Sequence, residues 1–154
     1  ITGSLPVFWE IGMGSAEVSV DRETGEVALT RYVSVADVGK AIHPEGCVGQ
    51  EEGASMMGIG HALFEQMTYE DGQLVTAGLI DYRVPRFADV PSEFETVLVE
   101  NEDGPGPHGA RGMGEGGLVA VAPAITSALA RGYGVRLRDL PLTPERVWRA
   151  LKSK

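Results

Sequence analysis

The reading of this chain turns on Gly109-Ala110-Arg111-Gly112-Met113-Gly114-Glu115-Gly116-Gly117. The stretch follows a proline- and glycine-rich segment, Asn101 to His108, which composition marks as a loop. After it, Leu118, Ala122, Ile125 and Leu129 fall on one face of a helix, with Pro123 expected in its first turn and Gly132 or Gly134 closing it. Gly112–Gly117 satisfies G-x-G-x-x-G, a spacing that can seat a pyrophosphate on a helix N-terminus. Its setting argues against that use, because no strand runs directly into it and Glu115 puts a carboxylate where the anion would rest. Two readings of Glu115 then stand open. It is a base held between small neighbours that let substrate reach it, or a glutamate that caps the next helix or faces solvent.

Outward from this stretch the pattern is α+β. Val18-Ser19-Val20 alternates, Asp21 to Glu26 supplies turn residues, and Val27 to Val38 is rich in β-formers, which predicts a two-stranded hairpin. Val48, Met56, Ile59, Leu63 and Met67 recur at mostly helical spacing and predict a helix over Val48 to Met67. Gly53, Gly58 and Gly60 lie inside it, each costing about 1 kcal/mol relative to alanine, so something is expected to press against its backbone. Glu51-Glu52 reads as a solvated helix face or first-turn charge, Met56-Met57 as core packing and His61 as a satisfied core or interface residue. Asp71-Gly72 marks a turn, Gly78 to Val84 an extended segment, Pro85 to Pro91 irregular chain and Phe94 to Val99 a strand. Thr143-Pro144 opens a last helix with Val147 and Leu151 inward and Trp148 beside them. The fold class is therefore α+β, a mixed or antiparallel sheet with packed helices, and residues 1–154 form one domain.

Composition narrows the functional classes. The 13 Lys+Arg against 22 Asp+Glu leave a net charge of −9, which opposes a phosphate-backbone partner, so no nucleic-acid binding is expected. No apolar run approaches the roughly 18 residues of a spanning helix, so no membrane partner is expected either. The single cysteine, Cys47, reads as a small buried side chain and forms no internal disulfide. With no secretory pattern in its opening residues, the chain is expected to be cytoplasmic. No histidine pair has ligand spacing and His108 lies in the approach loop, so no protein-ligated metal is expected. The 21 glycines, about twice the usual share, cluster instead of repeating. Ile1 and the residues after it read like the middle of something, which predicts a piece of a longer polypeptide.

Several motifs in series carry a resemblance. Val20 to Val27, Asp37-Val38-Gly39-Lys40-Ala41-Ile42-His43-Pro44, Gly49-Gln50-Glu51-Glu52-Gly53, Gly58-Ile59-Gly60-His61-Ala62-Leu63, the Gly109–Gly117 stretch, Ala122-Pro123-Ala124-Ile125 and Leu140 to Arg146 occur in that order. Together they resemble the C-terminal part of the molybdopterin-binding subunit of the molybdenum hydroxylases, the family of xanthine dehydrogenase, aldehyde oxidase and carbon monoxide dehydrogenase large subunits. The resemblance covers practically the whole chain. It departs from the family at His43, often asparagine there, at Arg111, often lysine, and at Met113, often a smaller aliphatic residue.

The resemblance implies oxidative hydroxylation of an aldehyde, purine, heteroaromatic or related carbon centre with water as oxygen source. Glu115 is implied as general base beside the molybdenum, removing a proton from a metal-bound hydroxyl. Gln50 and the backbone of Arg111, Gly112, Met113 and Gly114 are implied as cofactor contacts, and the metal is held by the pterin dithiolene. The implied cofactor is molybdenum-molybdopterin in its cytosine dinucleotide form, with iron–sulfur clusters and FAD on other subunits or domains. The implied partners are the rest of the molybdopterin-binding subunit, the iron–sulfur and FAD subunits and a small-molecule substrate. The isolated chain is expected to be inactive and to self-associate through surface left exposed. Two alternatives accompany this reading: a non-catalytic interaction domain that keeps the fold, and a nucleotide-binding module using the Gly112–Gly117 loop.

Overall fold

A computed structural model describes residues 10–153. Strands β1 (Gly12–Val20) and β2 (Val27–Asp37) form the antiparallel hairpin that the alternation predicts. The Asp21 carboxylate closes its turn by accepting from the backbone N–H groups of Glu23 and Thr24. Gly25, at φ +79°, finishes the turn against α3 (Pro144–Lys152), and a Cβ there would collide with the Pro144 carbonyl oxygen. A bulge leaves Thr30 unpaired between Leu29 and Arg31 and shifts the alternation by one, so that Leu29, Tyr32, Ser34 and Ala36 all face inward.

Strand β5 (Glu93–Val99) lies parallel to β2 on its other side, giving the mixed order β1-β2-β5. Parallel pairing needs a crossover, supplied by α1 (Pro44–Leu63) and the irregular chain after it. Helix α2 (Gly117–Tyr133) packs beside α1, and both cover the inner face of the sheet. The core joins Val20, Leu29 and Tyr32 of the sheet to Ile59 and Leu63 of α1 and to Val121, Ile125 and Leu129 of α2, closed below by Leu142 and Val147. Thr143 caps α3 by accepting the Arg146 N–H, as expected.

Other expectations need correction. Helix α1 begins four residues earlier than predicted, because His43 caps it and Pro44 fits its first turn; it ends at Leu63, which leaves Met67 outside and exposed. Its buried residues are Glu51, Ala54, Ser55, Gly58, Ile59, Gly60, Ala62 and Leu63, so Ile59 and Leu63 of the predicted row are buried and the rest of the face is mostly small. Small side chains permit that face because α2 approaches closely: a Cβ on Gly58 would stand 2.8 Å from the Leu118 carbonyl oxygen. Gly60 is likewise pressed, by Glu65 and Pro85, whereas Gly53 faces open space. Met57 is exposed, and His61 is a surface residue paired with Glu65.

Asp71-Gly72 does turn, joining the short strands β3 (Tyr69–Glu70) and β4 (Gln73–Leu74). Gly78 to Val84 is not extended; the Asp81 and Tyr82 N–H groups fold back onto the Gly78 carbonyl. Pro123 lies in the second turn of α2, beyond the first, where it removes the bond to the carbonyl of the exposed Val119. Gly134 closes that helix in the left-handed conformation. Among the described residues no helix is long and apolar enough to cross a membrane.

Candidate functional site

The loop that follows β5 is built on the end of β2. Gly39 turns with φ +64°, and its neighbours meet the loop through the bonds Arg111 N–H to Val38 O, 2.9 Å, and Glu102 N–H to Gly39 O, 3.0 Å. Internal bonds from Gly104 to Gly109 and from Gly106 to Ala110 fold the proline- and glycine-rich segment on itself. The Arg111 guanidinium bridges Asp37 at 3.4 Å and Asp103 at 2.6 Å, tying strand, loop and site together. Lys40 does the same from the other side, reaching Glu100 at 3.2 Å and Glu102 at 3.1 Å. The Ala41 N–H and then Lys40 hold the Glu100 carboxyl below the usual carboxylate range, and the two glutamates raise Lys40.

Against this frame the start of α1 leaves a cavity of about 310 Å³, lined by Val38, Lys40, Ile42, His43, Gly46, Cys47, Gln50, Ala110, Arg111 and Met113. It brings together Gln50, Arg111 and Met113 from distant parts of the chain. Gly112, Gly114 and Glu115 continue the same loop but do not line the cavity. Glu115 is exposed, and the N-cap of α2 is Gly116 with no side-chain bond, so Glu115 is not a helix cap. Beyond Met113 and Glu115, its chain neighbours, no described residue comes within 4 Å of where a Gly114 Cβ would stand, so the space before that loop position is open.

Sequence reasoning missed Lys40, His43 and Cys47 as cavity residues. His43 had a visible signal, since it precedes Pro44 where an N-cap belongs. Its Nδ1 accepts the Gly46 N–H at 2.8 Å, which leaves the ring proton on Nε2. Asparagine caps helices by the same acceptor role, so the departure at position 43 preserves the cap. Cys47 is half-buried: it lines the cavity and packs against the small core cluster of Ala36, Val38 and Ala41. Among the described residues no group of three or more His, Cys, Asp or Glu could hold a metal.

The larger correction concerns Glu51, which is 1 % exposed and no solvated face. Ser34 Oγ donates to its Oε1, and its carboxylate lies against Gly117 in the first turn of α2. The Glu10 carboxylate lies against the neighbouring Gly116 and accepts the Gly114 N–H. Partial burial and the Glu51 charge raise the Glu10 carboxyl above its ordinary value, opposed by that N–H. Two carboxylates thus stand at the end of α2 where a pyrophosphate would have to rest, which counts against the nucleotide-binding alternative.

This geometry meets a cofactor's needs in one respect: an apolar-walled cleft with a few directed polar groups, among them an amide that both donates and accepts. The comparisons with known proteins agree. The profile of the molybdopterin cofactor-binding domain matches residues 2–91. The chain is 37% identical to the probable hypoxanthine oxidase XdhD of Escherichia coli (strain K12) over 92% of this chain and 15% of that protein. It is 38% identical to the nicotine 6-hydroxylase large subunit of Paenarthrobacter nicotinovorans over 97% of this chain and 19% of that protein. Among solved structures, the aldehyde oxidoreductase from Desulfovibrio gigas superposes with a TM-score of 0.80 at 34% identity, over 89% of this chain and 15% of that chain. The chain therefore spans no more than about a fifth of these relatives' length. Its glycine loop lies beyond the matched profile but within the alignment to the nicotine hydroxylase subunit, which covers 97% of the chain. By profile, by identity and by fold, the chain belongs to the molybdopterin cofactor-binding domains of the molybdenum hydroxylase family.

Proposed function

We propose that this chain is the C-terminal part of a molybdenum hydroxylase large subunit and works within a multi-subunit oxidoreductase. The observation that carries the reading is the meeting of Gln50, Arg111 and Met113 around one cavity, directly before the loop that bears Glu115. The names of the relatives, a hypoxanthine oxidase, a nicotine hydroxylase and an aldehyde oxidoreductase, support oxidative hydroxylation of a carbon centre. The balance is R–H and water giving R–OH, two protons and two electrons.

Gln50 and the loop backbone from Arg111 to Gly114 would hold the molybdopterin, in its cytosine dinucleotide form. When bound, that cofactor supplies the two-electron oxidation. What this chain adds is proton handling and orientation. Glu115 accepts a proton from the activated water at its carboxylate, and its exposed place beyond Gly114 leaves it accessible. Arg111 does not serve as a free charge, because Asp37 and Asp103 hold its guanidinium; it sets where the loop backbone runs. Iron–sulfur and FAD centres on other domains or subunits would take up the electrons, so the isolated chain would turn over no substrate.

The test is to produce this chain with the rest of its large subunit and measure bound molybdenum and turnover. Near-stoichiometric metal is expected, and Glu115→Gln should keep it while lowering turnover by a factor on the order of 10²–10⁴. Undiminished turnover removes Glu115 from the reaction. A stable complex without molybdenum, from a host that makes and inserts the cofactor, favours a non-catalytic interaction domain instead.

A further inference from the structure

Gln50 and Glu51 are adjacent on α1 but face different neighbours. Gln50 lines the cavity, while Glu51 is buried beneath the start of α2. A buried carboxylate is costly unless its surroundings compensate it. Here compensation comes from the Ser34 hydroxyl and from the N-terminal end of α2, where the backbone dipoles favour negative charge. It is incomplete, since Glu51 Oε2 is buried without a hydrogen bond. A small apolar residue at position 51 would avoid that cost, so the carboxylate's place needs a reason beyond stability.

The contact itself supplies one. The Glu51 carboxylate lies flat on Gly117, whose missing side chain makes the room, and Glu10 lies in the same way on Gly116. The backbone from Gly114 to Gly117 is therefore seated on two acid side chains, Glu10 against Gly116 and Glu51 against Gly117. We propose that Glu51 is a positioning residue: seated between Ser34 and Gly117, it fixes where α2 begins and so where Glu115 stands relative to the cavity that Gln50 lines. Glu10 supports the same segment from the chain before β1. Because Gln50 and Glu51 share one turn of α1, a shift of that turn moves the cofactor contact and the base together. The inference rests on the assignment of Glu115 as base.

The experiment uses the full-length large subunit loaded with molybdenum, in wild-type, Glu51→Ala, Glu51→Gln and Glu115→Gln forms. Two quantities are read: hydrogen exchange at the amides of residues 114–119, and turnover per bound molybdenum on whichever of hypoxanthine, nicotine and benzaldehyde the wild type oxidises. In Glu51→Ala exchange at 114–119 should rise about tenfold while α3 is unchanged. Its kcat should fall about 10²-fold with KM little altered. Glu51→Gln keeps the shape and an acceptor for Ser34, and should restore both to within about threefold of wild type. Unchanged exchange in Glu51→Ala overturns the proposal. So does a loosened loop with full turnover while Glu115→Gln is inactive. If Glu51→Ala loosens the loop but both it and Glu115→Gln turn over normally, the holding role stands and the assignment of Glu115 falls. Should Glu51→Ala not fold, Ser34→Ala removes only the donor and must loosen the same amides; failure to do so also overturns the proposal.

Discussion

Replacing Gly58 by alanine tests how closely α1 and α2 must approach for the site to form. On an isolated helix the change would stabilise by about 1 kcal/mol, because alanine is the better helix former. Here the new methyl would stand 2.5 Å from Val121 Cγ2 and 2.8 Å from both Val121 Cβ and the Leu118 carbonyl oxygen. None of these is the end of a flexible side chain, and Val121 is fully buried, so the helices must separate. Overpacking of this kind costs about 1–3 kcal/mol, and the steric end of that range applies because backbone is struck. Subtracting the propensity gain leaves a net loss of about 1–2 kcal/mol, or a fall in Tm of roughly 2–8 °C for a chain of this size. Gly53→Ala is the matched control: a Cβ there meets nothing within 4 Å, so only the propensity gain remains and Tm should rise by roughly 2–4 °C. Thermal unfolding followed by far-ultraviolet circular dichroism reads both. A Gly58→Ala chain as stable as Gly53→Ala would refute the claim that helix contact, and not helix propensity, sets the glycine at position 58.

Two further outcomes follow from the site and its surroundings. Gln50→Ala in the assembled subunit should weaken cofactor retention roughly tenfold, as expected for losing a two-headed amide, before it changes turnover per bound molybdenum; a fully loaded variant counts against the assigned contact. Burial, then the Glu51 charge, pushes the Tyr32 hydroxyl up to about 12. The unfolded chain loses that proton near pH 10 while the folded chain keeps it, so this contribution to stability is whole below about pH 10 and is lost between about 10 and 12. The Glu65 carboxylate that accepts the Tyr82 hydroxyl raises that phenol too, so ultraviolet titration should show more than one late phenol and Tyr32→Phe should remove one of them; a late titration of unchanged amplitude would refute the assignment.

The sequence alone determined the local structure wherever short-range chemistry decides it. The hairpin followed from alternation around Asp21 to Glu26, α3 from Thr143-Pro144, and the helix after the glycine loop from Leu118, Ile125 and Leu129. Its ordered motifs also carried the family and pointed to Gln50 and Arg111, which one cavity wall then brought together. Tertiary structure decided the rest. Which face of α1 is buried depends on how near α2 comes, and that distance is set by the small residues Ala54, Ser55, Gly58 and Ala62; a count of large apolar residues gives them little weight. The same approach put Glu51 inside and Glu52 outside, although neighbouring carboxylates look alike in a sequence. Lys40, His43 and Cys47 joined the cavity only because the loop after β5 folds back onto Val38 and Gly39. Local pattern records what each residue prefers, whereas burial depends on which distant backbone arrives beside it.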